Sequence, residues 1–325
     1  MARTGERDEF VARTEGLRRQ LFAHCYRMTG SLDDAEDIVQ ETYLRAWRAF
    51  AEFESRSSVR TWLFRIATNV CLTFLQHRSR RVLPAGLGAP GDDVAAPLVF
   101  ADANVSWIQP VPDALTDPAA IVARRDSTRL ALIASLQYLS ARQRVVLLLR
   151  DVLGWSAAEV AEALETTTDA VKSTLKRARA RIEEYSPVPD EVPEIAEPAR
   201  KALLGQYISA FENADAEKLR TVLRDDAVLE FPPARTWFAG KRYCVPFLAG
   251  QVFGEPGRWR MLPTSANGGQ PAAVSYVRDE DGGYRAYGAA VLTVAAEGIA
   301  RITAFGDPSL VRWFGAPDRL PRPAR

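Results

Sequence analysis

The first periodic stretch of the chain places Ala35, Ile38, Val39, Thr42 and Ala46 on one face at helical spacing. Ser31 stands where an N-cap is expected, and Asp33, Asp34, Glu36 and Asp37 fall where the positive end of a helix dipole favours acids. The sharpest pattern lies further on, in SAAEVAEALETTTDAVKSTLKRARARIEE, Ser156 to Glu184. Ser156 and Glu159 have capping-box spacing, and Ala157, Val160, Ala161 and Leu164 give a short helix one apolar face. After a tight turn at Glu165 to Thr167, Val171, Leu175, Ala178 and Ile182 form the apolar face of a second helix. Upstream, Ser140 and Gln143 repeat the capping box and start a helix through Leu147 to Asp151. Beyond residue 199 the period changes. An amphipathic helix with Leu204, Tyr207, Ile208 and Phe211 precedes alternating segments such as Ala227 to Phe231 and Ala289 to Val294, with Asn267-Gly268-Gly269 and Asp281-Gly282-Gly283 as turns.

Two stretches break these patterns. Between Arg81 and Arg124 the chain has no Lys, Arg or Glu, only five acids, Asp92, Asp93, Asp102, Asp113 and Asp117, among Pro, Gly and Ala. Ser186 to Pro198 holds four prolines and four acids and cannot continue a helix. The expected organisation is therefore a helical block at 12–82, an acidic linker at 83–125, a second helical block at 126–185, a Pro-rich link at 186–198 and a mixed α+β block at 199–325.

Composition narrows the function. With 42 basic and 41 acidic residues in 325, the net charge of +1 gives no global pull toward nucleic acid or membrane, so any such signal is local. Cys25, Cys71 and Cys244 are odd in number, widely spaced and set in apolar sequence, which suits buried free thiols. His24 and His77 have no partner set at ligand spacing, so neither a metal nor a cofactor is expected. The polar N-terminus has no secretory apolar core, and a cytoplasmic location is expected.

The local signal is cationic. Lys172, Lys176 and Arg179 fall together on another face of the second helix of the Ser156 motif, away from its packing face and flanked by Ser173 and Arg177. A helix of this size fits the major groove, where Lys and Arg reach guanine acceptors and the hydroxyls of Thr168, Ser173 and Thr174 can touch bases or phosphates. A helix-turn-helix alone also fits a one-component repressor or a response-regulator output domain.

From Leu139 to Ile182 the chain resembles region 4 of sigma-70 family factors of the extracytoplasmic function type. The segment DDAEDIVQETYLRAWRAF followed by RTWLFRIATNVCLTFLQHRSRR resembles region 2 of the same family. The resemblance implies an alternative sigma factor whose partners are core RNA polymerase, through the beta-prime clamp helices and the beta flap, and promoter DNA, with an anti-sigma protein as a further candidate partner. It assigns the minus-35 element to Thr168, Lys172, Ser173, Lys176, Arg177 and Arg179, and clamp binding to Asp37, Gln40, Glu41, Leu44, Arg45 and Arg48. Capture of the minus-10 strand falls to Ser57, Ser58, Arg60, Trp62, Arg65 and Asn69, with Arg78, Arg80 and Arg81 along phosphate. Trp62 is as well placed for a core as for stacking on the fork. The acidic linker is expected to thread the polymerase active-site cleft and RNA exit path.

The block at 199–325 resembles the SnoaL-like branch of the NTF2-like fold, implying a conical barrel. Trp237, Tyr276, Tyr284, Tyr287 and Phe305 are candidates for lining its pocket. Relatives of that fold include cyclases and isomerases, but this block has no histidine, and acid and base roles would fall to Asp215, Asp226 and Glu230. A regulatory domain, not an enzyme, is the expectation.

Overall fold

The computed structural model describes residues 2–53, 58–76, 78–116, 129–185 and 195–322. The chain divides into two units, one made of residues 1–81 with 113–187, the other of 82–112 with 188–325. Residues 82–112 thus belong with the C-terminal domain, whereas the sequence pattern reads them as an independent linker.

In the first unit, α1 (Ala2–Thr14), α2 (Arg18–Thr29), α3 (Leu32–Ala49) and α4 (Val59–Leu75) form a bundle. Ser31 caps α3 by accepting from the backbone N–H of Asp34 at 3.3 Å, and Ser58 caps α4 by accepting from that of Thr61 at 3.0 Å. Leu21, Tyr26 and Met28 of α2, Ile38 and Val39 of α3, and Leu63, Phe64 and Ala67 of α4 are buried. His24 is buried too, within 3.2 Å of the Thr68 hydroxyl, and Cys25 and Cys71 are buried free thiols. Helix α1 escaped the sequence reading because its one large apolar anchor is Phe10, which packs on Tyr43, Trp47 and Phe50. Tertiary packing on α3, not periodicity, orders that helix.

The same unit contains α5 (Leu130–Leu136), α6 (Ala141–Leu147) extended by a π-helical turn at Leu148–Val152, α7 (Ala157–Ala163) and α8 (Thr168–Tyr185). Both expected capping boxes form: Ser140 with Gln143, and Ser156 with Glu159. The capping bonds from Ser156 hold the Glu159 carboxyl below its usual range. Val160 of α7 and Val171, Leu175 and Ala178 of α8 are buried, and Glu165 takes a positive φ of 50° in the turn between the helices.

In the second unit, α9 (Glu197–Glu212) and α10 (Ala216–Val222) precede β1 (Leu223–Glu230) and β2 (Trp237–Ala239). Helix α11 (Lys241–Phe247) follows, then β3 (Trp259–Ala266), β4 (Gln270–Arg278), β5 (Tyr284–Ala295), β6 (Gly298–Phe305), α12 (Leu310–Trp313) and β7 (Arg319–Leu320). The strand order is β2-β1-β6-β5-β4-β3, with β7 on β5 and only the β1–β6 pair parallel. Among the described residues no β2–β3 pairing closes this mixed sheet, so the expected cone is open. Tyr207 and Phe211 of α9 fill its hollow together with Phe238, Phe247, Phe253 and Trp259. Gly298 opens β6 at φ 127°, where an added Cβ would come within 2.5 Å of the Val222 carbonyl oxygen.

Candidate polymerase, promoter and linker interfaces

On α8, Val171, Leu175 and Ala178 turn inward, which leaves Thr168, Lys172, Ser173, Lys176, Arg177 and Arg179 exposed. The six differ in how free they are. Lys172 has only an exposed contact with Asp169 at 3.5 Å. Both nitrogens of Arg179 facing Asp151 donate to its carboxylate, at 3.0 and 2.7 Å, and these bonds raise the pKa of Arg179 further. Thr174 is buried, which removes its hydroxyl from the groove-facing set.

On α3, Asp37, Gln40, Leu44, Arg45 and Arg48 are exposed and Glu41 partly so. Leu44 keeps 51% of its surface exposed and Trp47, one turn on, 37%. Two apolar side chains one turn apart are thus left partly in solvent on an otherwise charged helix face. Trp47 was not singled out from the sequence, although its i+3 spacing from Leu44 carries the signal. Arg45 donates to Glu41 at 2.7 Å and Gln40 to Glu36 at 3.2 Å, so the charged groups around Leu44 are held in place.

The minus-10 candidates are less uniform. Ser57 lies outside the described residues, as does His77. Ser58 is committed to capping α4. Arg60 donates to Gln20 at 3.1 Å and lies over the Phe64 ring, so it braces the bundle. Trp62 is half-buried against Phe53, with ring centroids 4.7 Å apart. Arg65 reaches Glu162 at 3.7 Å, and Asn69 is exposed. Arg78 and Arg81 share the Asp34 carboxylate, at 3.5 and 2.5 Å, while Arg80 stacks over Tyr138 at 4.2 Å.

The five candidate pocket aromatics do not line one cavity. Tyr276 and Tyr284 belong to a small separate cluster with Val274, Ala286 and Val311, and their hydroxyls donate to the carbonyls of Pro317 and Gly257. Tyr287 is 40% exposed against Trp259, and Phe305 is buried. Trp237 donates through Nε1 to the Gly88 carbonyl at 2.9 Å, so it faces the linker. The hollow itself was already filled by the apolar faces of α9 and α11. Among the candidate acids, Asp215 caps α10, Asp226 is gripped by Arg224, and Glu230 is fully buried.

Glu230 belongs to an interface that sequence reasoning missed. Its Oε1 accepts from the backbone N–H of Ala85 at 2.9 Å, and its Oε2 from Arg301 at 2.8 Å. Further along, Gly91 N–H donates to the Trp237 carbonyl at 2.8 Å, Val99 N–H to the Thr236 hydroxyl at 2.9 Å, and Arg235 N–H to the Val99 carbonyl at 2.7 Å. At the far end Val111 and Asn267 exchange two bonds, 2.8 Å between backbones and 3.2 Å to the Asn267 side chain. Backbone N–H and C=O groups withdrawn from water need partners, and along this segment the domain supplies them much as a neighbouring strand would.

Residues 15–81 match Sigma-70 region 2 and residues 129–182 match Sigma-70, region 4. Over 319 residues, 97% of this chain and 85% of the relative, the sequence is 48% identical to ECF RNA polymerase sigma factor SigG of Mycobacterium tuberculosis. The chain belongs to the extracytoplasmic function (ECF) sigma factors. It is an alternative sigma factor, directing transcription through the two helical blocks. ECF sigma factor SigJ of the same organism is 29% identical over 74% of this chain and 73% of its own length. The crystal structure of SigJ superposes with a TM-score of 0.59 at 25% identity, covering 95% of this ECF factor and 99% of SigJ, so the likeness runs through the C-terminal sheet domain. No described helix is long and apolar enough to cross a membrane.

Proposed function

We propose that this ECF factor carries its own regulator: the NTF2-like domain holds the linker between regions 2 and 4 and thereby controls how the factor engages core polymerase. The observation that carries this reading is the run of hydrogen bonds from Ala85 to Val111 onto Glu230, Thr236, Trp237 and Asn267. An acidic segment suited to the polymerase cleft cannot lie there and on the domain at once. Release of the linker is therefore a step of initiation, performed in the cytoplasm with core polymerase and promoter DNA as partners. In the complex, the Leu44–Trp47 face of α3 meets the clamp helices, Lys172 and Lys176 read the minus-35 element, and Trp62, Arg65 and Asn69 meet the minus-10 strand. An anti-sigma protein remains a further partner for the same blocks.

The domain is a binding module and not an enzyme, because its candidate acids are engaged in capping, ion pairing and linker binding. The test is removal of residues 199–325 followed by in vitro transcription with core polymerase. Output should change at the factor's promoters while core binding persists. Unchanged output at every promoter tested would sink the regulatory reading.

A further inference from the structure

Within the first unit, the helix-turn-helix block supplies a cap to the bundle. Arg144 of α6 is 5% exposed, and its guanidinium donates to the Met28 carbonyl, to Gln137 Oε1 at 2.8 Å and to the Leu139 carbonyl at 3.2 Å. Met28 lies in the last turn of α2, which ends at Gly30 in the left-handed conformation, φ 70°. Carbonyls there have no donor of their own helix, and a cation is favoured at that end of the dipole. The approach is close, since a Cβ on Gly30 would meet the Gln137 side chain at 3.3 Å. Burial draws the pKa of Arg144 down to about 10, and its Nε finds no hydrogen-bond partner among the described residues. A guanidinium so desolvated is held in place by the bonds it keeps.

This contact sets the helix-turn-helix in front of the side chains assigned to the minus-10 strand. Ser58, Trp62 and Arg65 of that set, together with Thr61, line one wall of a cavity of about 900 Å³, whose opposite wall is Trp155, Glu159 and Glu162. Arg65 faces Glu162 at 3.7 Å, and Arg80 is stacked on Tyr138. Both are exposed contacts of little strength by themselves. Arg144 is the buried one.

We infer that Arg144 is a latch: by capping α2 it holds the helix-turn-helix over α4, so that the carboxylates of Glu159 and Glu162 occupy the path of the single strand in the free factor. The inference rests on the assignment of α4 to that strand, and the experiment separates the two. Full-length chain is titrated into a fluorescein-labelled, mixed-sequence single-stranded oligodeoxynucleotide and followed by anisotropy, in wild type, Arg144→Met, Arg65→Ala and the double variant. Loss of a cation by itself weakens DNA binding, whereas opening a latch strengthens it, by about tenfold if the open form is a minor species in wild type. Arg144→Met should bind more tightly, and Arg65→Ala should cancel most of that gain. Equal or weaker binding by Arg144→Met, with Arg65→Ala still weakening wild type, overturns the latch and leaves the α4 assignment standing. No effect of Arg65→Ala in either background overturns the α4 assignment itself.

Should Arg144→Met fail to fold, Arg144→Lys, which keeps the charge but loses the fork of bonds to Met28, Gln137 and Leu139, tests the same closure. It should tighten binding about twofold to threefold and lengthen the fluorescence-transfer distance between labels at Asn69 and Lys176. Unchanged affinity and distance would overturn the inference.

Discussion

The carboxylate of Glu230, fully buried at the end of β1, accepts the backbone N–H of Ala85 at 2.9 Å and the guanidinium of Arg301 at 2.8 Å. One side chain therefore joins the linker to the sheet. Glu230→Gln leaves an amide NH₂ facing either a backbone N–H or a guanidinium, and removing one partner of a buried pair costs roughly 3 kcal/mol. The amides of Ala85, Gly91 and Val99 should then exchange with deuterium faster in the variant, while those of α2 and α3 keep their protection. Unaltered protection at Ala85 would show that Glu230 does not hold the linker.

The cations of α8 are unequal. Lys172 and Lys176 are exposed, whereas Arg179 is committed to Asp151. Lys172→Ala or Lys176→Ala should weaken holoenzyme binding to promoter duplex by about 1–3 kcal/mol if it reads a base, or lower the salt slope by about 1 if it contacts phosphate. Arg179→Ala should act mainly on stability, by loosening the π-helical turn at Asp151 from α8. Thermal unfolding and binding isotherms measured side by side distinguish the two effects.

Leu44 and Trp47 leave apolar surface in solvent on a face otherwise built of charges. Leu44→Ala with Trp47→Ala should reduce affinity for core polymerase by about 2–4 kcal/mol, in the range of interface anchors. Stability should change little for Leu44, because it is exposed. Trp47 also touches Phe10, so its substitution should additionally loosen α1.

His24 provides a pH signature of the bundle. Burial, assisted by the positive charge of Arg27, lowers its pKa from 6.5 to about 3. The native ring stays neutral while the unfolded chain takes up a proton below its own pKa. Stability is thus complete above 6.5 and is lost as the pH falls toward 3, by up to about 1.4 kcal/mol per pH unit. The urea midpoint of the helical unit should drop between about pH 7 and about pH 5. His24→Gln, which retains a polar partner for Thr68, should flatten that dependence.

Much of this architecture was legible because local rules and tertiary structure agree. Ser31, Ser140 and Ser156 cap the helices their spacing announces, and Val171 and Leu175 bury the face their period selects. The candidate sites were read as surfaces, and many proved to be exposed. What stayed hidden depends on partners distant in sequence. Nothing near Ala85 announces Glu230, 145 positions away, and nothing near Arg144 announces the carbonyl of Met28. The separate packing of Tyr276 and Tyr284 with Val274 and Val311 was not legible either, because alternation assigns a face but not what lies against it. The linker's docking was hidden for a related reason: composition marks residues 83–125 as acidic and irregular, but not that the backbone of Ala85, Val99 and Val111 finds partners on Glu230, Thr236 and Asn267.

On the proposed reading, the linker exchanges the C-terminal domain for polymerase during initiation. Phe100 is 65% exposed and pairs through its backbone with Ala234, so a photoreactive phenylalanine analogue at that position reports the linker's neighbour. Irradiation of the free factor should cross-link it within its own C-terminal domain, and irradiation of a transcribing open complex should instead label the beta or beta-prime cleft. Persistence of the C-terminal cross-link in complexes shown to be making RNA would contradict the account.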